Sequence, residues 1–205
     1  KAGTSVPVDA RIELTVPDHP YASRGGLKLA AALDAFAVDP AGRDALDIGA
    51  STGGFTDVLL LRGARAVVAL DVGHGQLDWR LRTDPRVIVR DGITARALAS
   101  ADLPYSPNLV TIDVAFISLA HILPPLPVLL ATPADVIALV KPQFEAGRHE
   151  VGKHGLVTDP AVHAEVIARI TEVARVAGLE RIAMAPAAIT GATGNQEFFL
   201  HLRRT

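Results

Sequence analysis

Asp47-Ile48-Gly49-Ala50-Ser51-Thr52-Gly53-Gly54-Phe55 joins an apolar, β-forming run to a helix-forming one. Glycines in such a turn let the backbone approach a ligand closely, and the first N–H groups of the helix can meet an anion. Three chemistries suit a strand–turn–helix of this kind. Gly49-Ala50-Ser51-Thr52-Gly53 matches the elbow that presents a nucleophilic serine, here Ser51, and His149, His154, His163 and His201 follow as candidate bases. A helix-forming segment, however, stands before the strand where an oxyanion loop belongs, and no His-Gly-Gly-Gly motif occurs. A nicotinamide dehydrogenase would use Gly-x-Gly-x-x-Gly, whereas the spacing here is Gly-x-x-x-Gly-Gly, although Asp71 lies at a suitable distance to bind a ribose.

The third chemistry is binding of S-adenosylmethionine, which carries a ribose, an adenine, a sulfonium and an amino-acid tail but no phosphate. Such a ligand calls for carboxylates. Asp47, Asp71, Asp91 and Asp113 each close an apolar run, so an acid stands at successive strand ends. Ligands of open α/β sheets bind at the carboxyl ends of the strands. On this reading Asp71 takes the ribose hydroxyls and Asp91 the adenine edge. Val72 and Gly92 lie beside them, and Gly49, Ser51, Thr52, Gly53, Gly54 and Phe55 form the turn. Taken singly, an aspartate at a strand end is ordinary turn chemistry; the recurrence is what points to a crevice for a cationic ligand.

The elements that must position these residues alternate along the chain. Ser23 reads as the N-cap of a helix over 25–36, with Lys28 in its first turn. Strands are expected at 43–48, 66–70, 87–89, 109–112 and 135–140, and helices at 54–62, 76–82, 118–130 (until its prolines) and 160–177. Two final strands, 181–189 and 198–202, are antiparallel by position. The strand runs are apolar without alternation, as in a parallel sheet covered on both faces, so the fold class is doubly wound α/β. Val6–Val8 and Ile12–Val16 read as short strand-like pieces, Pro17–Pro20 as a breaker, and 144–160 as a mobile loop beside the site.

Composition narrows the field. The chain has 205 residues, 49% of them hydrophobic and 20% charged, enough for one globular domain with a full core. It contains no cysteine, which excludes disulfides, thiolate nucleophiles and cysteine–zinc sites and suits a reducing cytoplasm. The most apolar stretch, 114–140, is broken by His121, Asp135 and prolines, so no membrane span is expected. With a net charge of -2, a strongly basic nucleic-acid binder is not visible in the bulk charge. Lysine is confined to Lys1, Lys28, Lys141 and Lys153, so a lysine within a motif stands out. His149 and His154 with Glu145 and Glu150 lack the fixed helical spacing of a metal site, and no metal is expected.

The segments 47–55, Asp71-Val-Gly-His-Gly-Gln-Leu, Asp113-Val-Ala-Phe-Ile-Ser-Leu, Lys141-Pro-Gln-Phe-Glu and Gly194-Asn-Gln-Glu-Phe-Phe-Leu together resemble the TlyA (hemolysin A) family of FtsJ-like ribosomal RNA 2′-O-methyltransferases. The resemblance spans roughly residues 20–203. It implies a Rossmann-like class I methyltransferase fold, S-adenosyl-L-methionine as methyl donor, and ribosomal RNA or ribosomal subunits as partner. It further implies a cytidine 2′-hydroxyl as acceptor, and an effect on sensitivity to capreomycin-type antibiotics. The family's Lys-Asp-Lys-Glu tetrad falls on Lys28, Asp113, Lys141 and Glu197. Members carry an N-terminal RNA-binding domain, whose closing strand residues 1–16 resemble. Residues 1–22 are therefore expected to be a linker and remnant of that domain, and 23–205 the methyltransferase domain. Nothing here resembles a pore-forming segment.

A lysine can take a proton from a hydroxyl only when its pKa falls well below about 10.4, which burial or a nearby cation favours and a carboxylate opposes. On the family reading Lys141 meets the 2′-hydroxyl as base or as orienting donor. Lys28 holds the ribose or an adjacent phosphate, and the two acids orient the lysines. RNA contacts are expected from Arg24, Lys28, Arg148 and Lys153, with Arg80, Arg82, Arg86 and Arg90 as a further basic group. A paired ribose is hard to reach in line, so the target nucleotide is expected to flip out.

Overall fold

The computed structural model describes residues 5–11 and 19–205. Continuous β-branched and leucine-rich runs form β1 (Asp44–Ile48), β2 (Ala66–Asp71), β3 (Val87–Asp91), β4 (Leu109–Ile112) and β5 (Ala134–Val140). Helices α1 (Gly25–Phe36), α2 (Gly54–Leu61), α3 (Trp79–Arg82), α4 (Pro142–Glu145) and α5 (Pro160–Val176) intervene, and β6 (Glu180–Pro186) and β7 (Phe198–Arg204) complete the sheet. The order of the seven strands is β3-β2-β1-β4-β5-β7-β6. β1 to β5 pair in parallel, and β7 lies antiparallel between β5 and β6. The expected doubly wound α/β fold with antiparallel final strands is the one observed.

Each face of the sheet carries its own core. One packs Leu29 and Leu33 of α1 and Phe55, Val58 and Leu59 of α2 against Val67, Leu109, Ile137 and Phe199. The other packs Val166 and Ile170 of α5 with Leu119, Ile122, Leu123, Leu126 and Leu130 against Ile48, Ile112, Val136 and Leu200. The strand order reverses between β1 and β4, which opens a crevice at their carboxyl ends. At the opposite end, Asp135 of β5 gathers His201 at 2.8 Å, Arg203 at 2.9 Å and Arg43 at 2.7 Å. Among the described residues, no helix is long and apolar enough to cross a membrane.

Several boundaries differ from the sequence reading. The expected helix over 118–130 is a pair of 3-10 turns, Leu119–His121 and Pro127–Leu129. Its apolar residues recur with helical spacing because they are buried, but Pro124, Pro125 and Pro127 cannot donate the backbone bonds a helix needs. The helix expected at 76–82 is only α3, which starts where the Asp78 carboxylate caps Arg80 N–H at 2.9 Å. Ser23 does not cap α1: Arg24 occupies that position and no side chain caps the helix. The strand expected to reach Ile189 stops at Pro186. Val6–Val8 lie outside any strand, and the strand read at Ile12–Val16 and the start of the Pro17–Pro20 breaker fall outside the described residues. The segment 144–160 contains the end of α4 and a 3-10 turn at Lys153–Gly155.

Candidate active site

Two cavities meet beneath the Gly-rich turn and share Gly49, Ser51 and Asp113 in their walls. The larger, about 600 Å³, runs along the ends of β2 and β4, past Asp71, Val72 and Gln76, to Ile93, Thr94 and Phe116. The smaller, about 250 Å³, lies between the uncapped start of α1 and the start of α2, with Ser23, Arg24, Gly25, Lys28, Thr52, Gly54 and Phe55 in its wall. Their junction depends on Gly49. Its φ is 85°, and a Cβ there would run into the carbonyl oxygen of Asp113.

Asp71 stands at the end of β2 and accepts the N–H of Ser51 at 2.8 Å and of Gly73 at 2.7 Å. One carboxylate thus sets the shape of both loops bordering the larger cavity, with lone pairs left for a ligand's hydroxyls. Asp47 has a different place. It is wholly buried within β1, accepts hydroxyl donors from Thr56 at 2.7 Å and Thr111 at 2.9 Å, and lines neither cavity. Burial pushes its carboxyl up to about 6, against the lowering effect of those hydrogen bonds. Asp91 is turned toward Gly75 N–H at 3.1 Å and Arg82 at 3.1 Å, which together hold its carboxyl below the usual range despite some desolvation. Asp91 and Gly92 line neither cavity, nor does Gly53, where a Cβ would collide with Leu81. These four residues therefore shape the walls from behind.

Lys28, Asp113, Lys141 and Glu197 come together although they stand on four different elements. Lys28 of α1 pairs with Glu197 at 2.6 Å, and Lys141, leaving β5, pairs with Asp113, leaving β4, at 2.5 Å. Each pair is formally neutral, which lets the lysines and the buried Glu197 sit away from bulk water. Gln143 donates to Glu197 at 3.4 Å. Gly191 packs on the Glu197 carboxylate so closely that a Cβ would clash, and its neighbours Ile189, Thr190 and Ala192 wall the smaller cavity.

Around this centre the cations divide into two groups. Arg80 is bound bidentately by buried Asp57, Arg82 by Asp91, Arg86 by Asp84, and Arg90 by the Asp102 carbonyl. Arg24, Arg148 and Lys153 are exposed and carry no ion pair among the described residues. Arg96, which no motif marked, is likewise exposed and lies in the wall of the larger cavity, Arg24 lies in that of the smaller, and Arg148 and Lys153 line neither. Of the two phenylalanines near the site, Phe55 is core, whereas Phe116 is 91% exposed with a left-handed φ of 62°. The Ser51 hydroxyl faces Gln76 at 3.3 Å and no histidine, which removes the hydrolase reading. No group of three His, Asp or Glu among the described residues could hold a metal ion.

Comparison with known proteins places this geometry. The model of the FtsJ-like methyltransferase family matches residues 21–204. The 16S/23S rRNA (cytidine-2′-O)-methyltransferase TlyA of Mycobacterium tuberculosis is 46% identical over 93% of this chain and 71% of its own length. A solved Streptococcus thermophilus structure that carries a hemolysin name is 43% identical, with a TM-score of 0.90 over 94% of this chain and 70% of that one. Fibrillarin of Aeropyrum pernix, solved with S-adenosyl-L-methionine, is 18% identical and shares the fold, with a TM-score of 0.61 over 85% of this chain and 74% of its own. The chain belongs to the FtsJ-like methyltransferase family.

Proposed function

We propose that this chain transfers the methyl group of S-adenosylmethionine to the 2′-hydroxyl of a cytidine in ribosomal RNA. The observation that carries the reading is the junction itself: a nucleoside-sized cavity meets a smaller one where two lysine–carboxylate pairs converge. The residues present suit the donor. The larger cavity has apolar walls for an adenine and the Asp71 carboxylate for ribose hydroxyls. The smaller offers the uncapped α1 N-terminus to the carboxylate of an amino-acid tail. Bound there, S-adenosylmethionine supplies an electrophilic methyl group on a sulfonium sulfur.

The chain's own residues then have separate tasks. Lys141 holds the 2′-oxygen and either receives its proton or orients it. Asp113 fixes the Lys141 ammonium, and Glu197 does the same for Lys28, which steadies the ribose or its phosphate. Much of the rate comes from holding acceptor and methyl group in line. The exposed Phe116 ring offers a face on which a flipped base can stack. Arg24 and Arg96 from the cavity walls, with the exposed Arg148 and Lys153, supply phosphate contacts, and such binding weakens steeply with salt. The ribosomal subunit as partner, a cytoplasmic location, the 1–22 and 23–205 division and the effect on capreomycin-type antibiotics rest on the family resemblance.

Calorimetric titration of S-adenosylmethionine into the chain tests the reading, beside Asp71→Ala. Saturable binding weakened at least about tenfold by the substitution is expected, since charge-assisted hydrogen bonds to hydroxyls contribute about 1.5–3 kcal/mol. Equal affinity in both proteins would contradict it.

A further inference from the structure

We propose that Glu145 is a positioning residue that holds the loop carrying Asp113 and Phe116 in its reactive shape; the inference rests on the methyl-transfer reading above. Glu145 closes the Lys141-Pro-Gln-Phe-Glu motif but lies outside the tetrad. Its side chain is only 2% exposed. The carboxylate accepts the Ser118 hydroxyl at 2.6 Å and Leu119 N–H at 2.7 Å. Arg169 of α5 ties the same residue down, donating to its carbonyl at 2.5 Å and reaching its carboxylate at 3.4 Å.

The loop after β4 and the start of α4 thus meet along successive rungs. Asp113 pairs with Lys141 at 2.5 Å, the Phe116 and Phe144 rings lie 5.0 Å apart, and Ser118 and Leu119 bind Glu145. The first rung is at the reacting atoms, and the second is largely exposed on the loop side. Only the third is buried and anchored to a long helix. Phe116 has a left-handed backbone that a side-chain-bearing residue keeps only when its surroundings enforce it. Without Glu145 the loop stays joined to β4 but loses the grip that fixes its far end at Ser118 and Leu119. Asp113 and Phe116 then sample other positions while both cores stay intact.

The test compares wild type with Glu145→Ala, Glu145→Gln, Phe116→Ala and the Glu145→Ala/Phe116→Ala double variant. The readouts are methyl transfer from labelled S-adenosylmethionine to unmodified ribosomal subunits, and amide hydrogen exchange across 113–119. Glu145→Ala is expected to lower kcat about 30-fold, since misplacement by about an ångström can cost 10²-fold. It should also speed exchange in 113–119 at least tenfold, with β1 and β5 unchanged. Glu145→Gln keeps an acceptor for Leu119 N–H and is expected within about threefold of wild type. The double variant is expected to be no worse than about threefold below the poorer single variant, because both changes disable the same loop. Unchanged exchange in Glu145→Ala, or losses that simply multiply, would overturn the proposal. Should Glu145→Ala not fold, Ser118→Ala replaces it in the same cycle. A wild type without transfer but with protected 113–119 exchange lost in Glu145→Ala would refute the functional reading, not the loop's dependence on Glu145.

Discussion

Lys28 and Lys141 each face one carboxylate, yet they stand differently toward the cavities. Lys28 lines the smaller one directly, whereas Lys141 reaches the junction beside Asp113. If Lys141 handles the acceptor proton, Lys141→Ala lowers methyl transfer at least about 10²-fold, the range typical of general acid–base groups. S-adenosylmethionine affinity, read by calorimetry, is expected to change less than about threefold. Lys141→Arg divides the two roles. It keeps a donor but cannot give up a proton, so transfer survives only if orientation is the whole task. Phe116→Ala is expected to raise the KM for RNA more than it lowers kcat, and an unchanged KM would remove the stacking role.

At the scale of elements, loops meeting at the crevice are fixed by buried polar side chains. Asn195 is 1% exposed and accepts Val157 N–H at 2.9 Å, donates to the Gly155 carbonyl at 2.8 Å and contacts the Thr193 hydroxyl at 3.1 Å. It thereby fastens the segment that follows Lys153 to the loop that delivers Glu197. Asn195→Ala leaves those buried groups unsatisfied and is expected to cost about 2–4 kcal/mol in denaturant unfolding. A loss under about 0.5 kcal/mol would show the staple to be dispensable. Elements of this kind mark where the sequence stops being readable. Parallel strands announce themselves as unbroken apolar runs, and α5 by its amphipathic period, while its Asp159 cap shows only in the structure. The turns over 119–130 carry the same apolar spacing as a helix, and only their prolines argue otherwise. Asn195 and Glu145 lie inside recognisable motifs, but their partners are distant in sequence, so their tasks are invisible before folding.

The whole molecule places two unusual carboxyls at opposite ends of the sheet, with opposite consequences for stability. Asp47 has a folded-state pKa of about 6, above its unfolded value near 3.8. Its contribution is therefore full below pH 4 and is lost as pH rises through 6, amounting to about 3 kcal/mol. For Asp135, desolvation is outweighed by hydrogen bonds from His201, Arg43 and Arg203, which hold it well below the usual range. Its contribution is present above its unfolded value and lost as the pH falls below about 4. Melting curves from pH 3 to 8 are expected to show Asp47→Asn flattening the decline between pH 4 and 7. Asp135→Asn is expected to remove the acid limb, and parallel curves for wild type and both variants would contradict these assignments. The same contrast explains what the strand-end aspartates could tell in advance. Asp71 and Asp113 face the crevice, while Asp47 and Asp91 are claimed by Thr56, Thr111, Gly75 and Arg82. Arg80, Arg82 and Arg86 are likewise claimed by acids, so charge counts along the chain overstate the basic surface around α3.

The central claim is methyl transfer at the junction of the two cavities. Its most direct measurement is incorporation of label from S-adenosylmethionine into unmodified ribosomal subunits, followed by nuclease digestion and mass analysis of the nucleosides, for wild type beside Lys141→Ala. The account predicts 2′-O-methylcytidine with wild type and at least about 10²-fold less with the variant. Label on a base, on protein, or equal in both samples would contradict it.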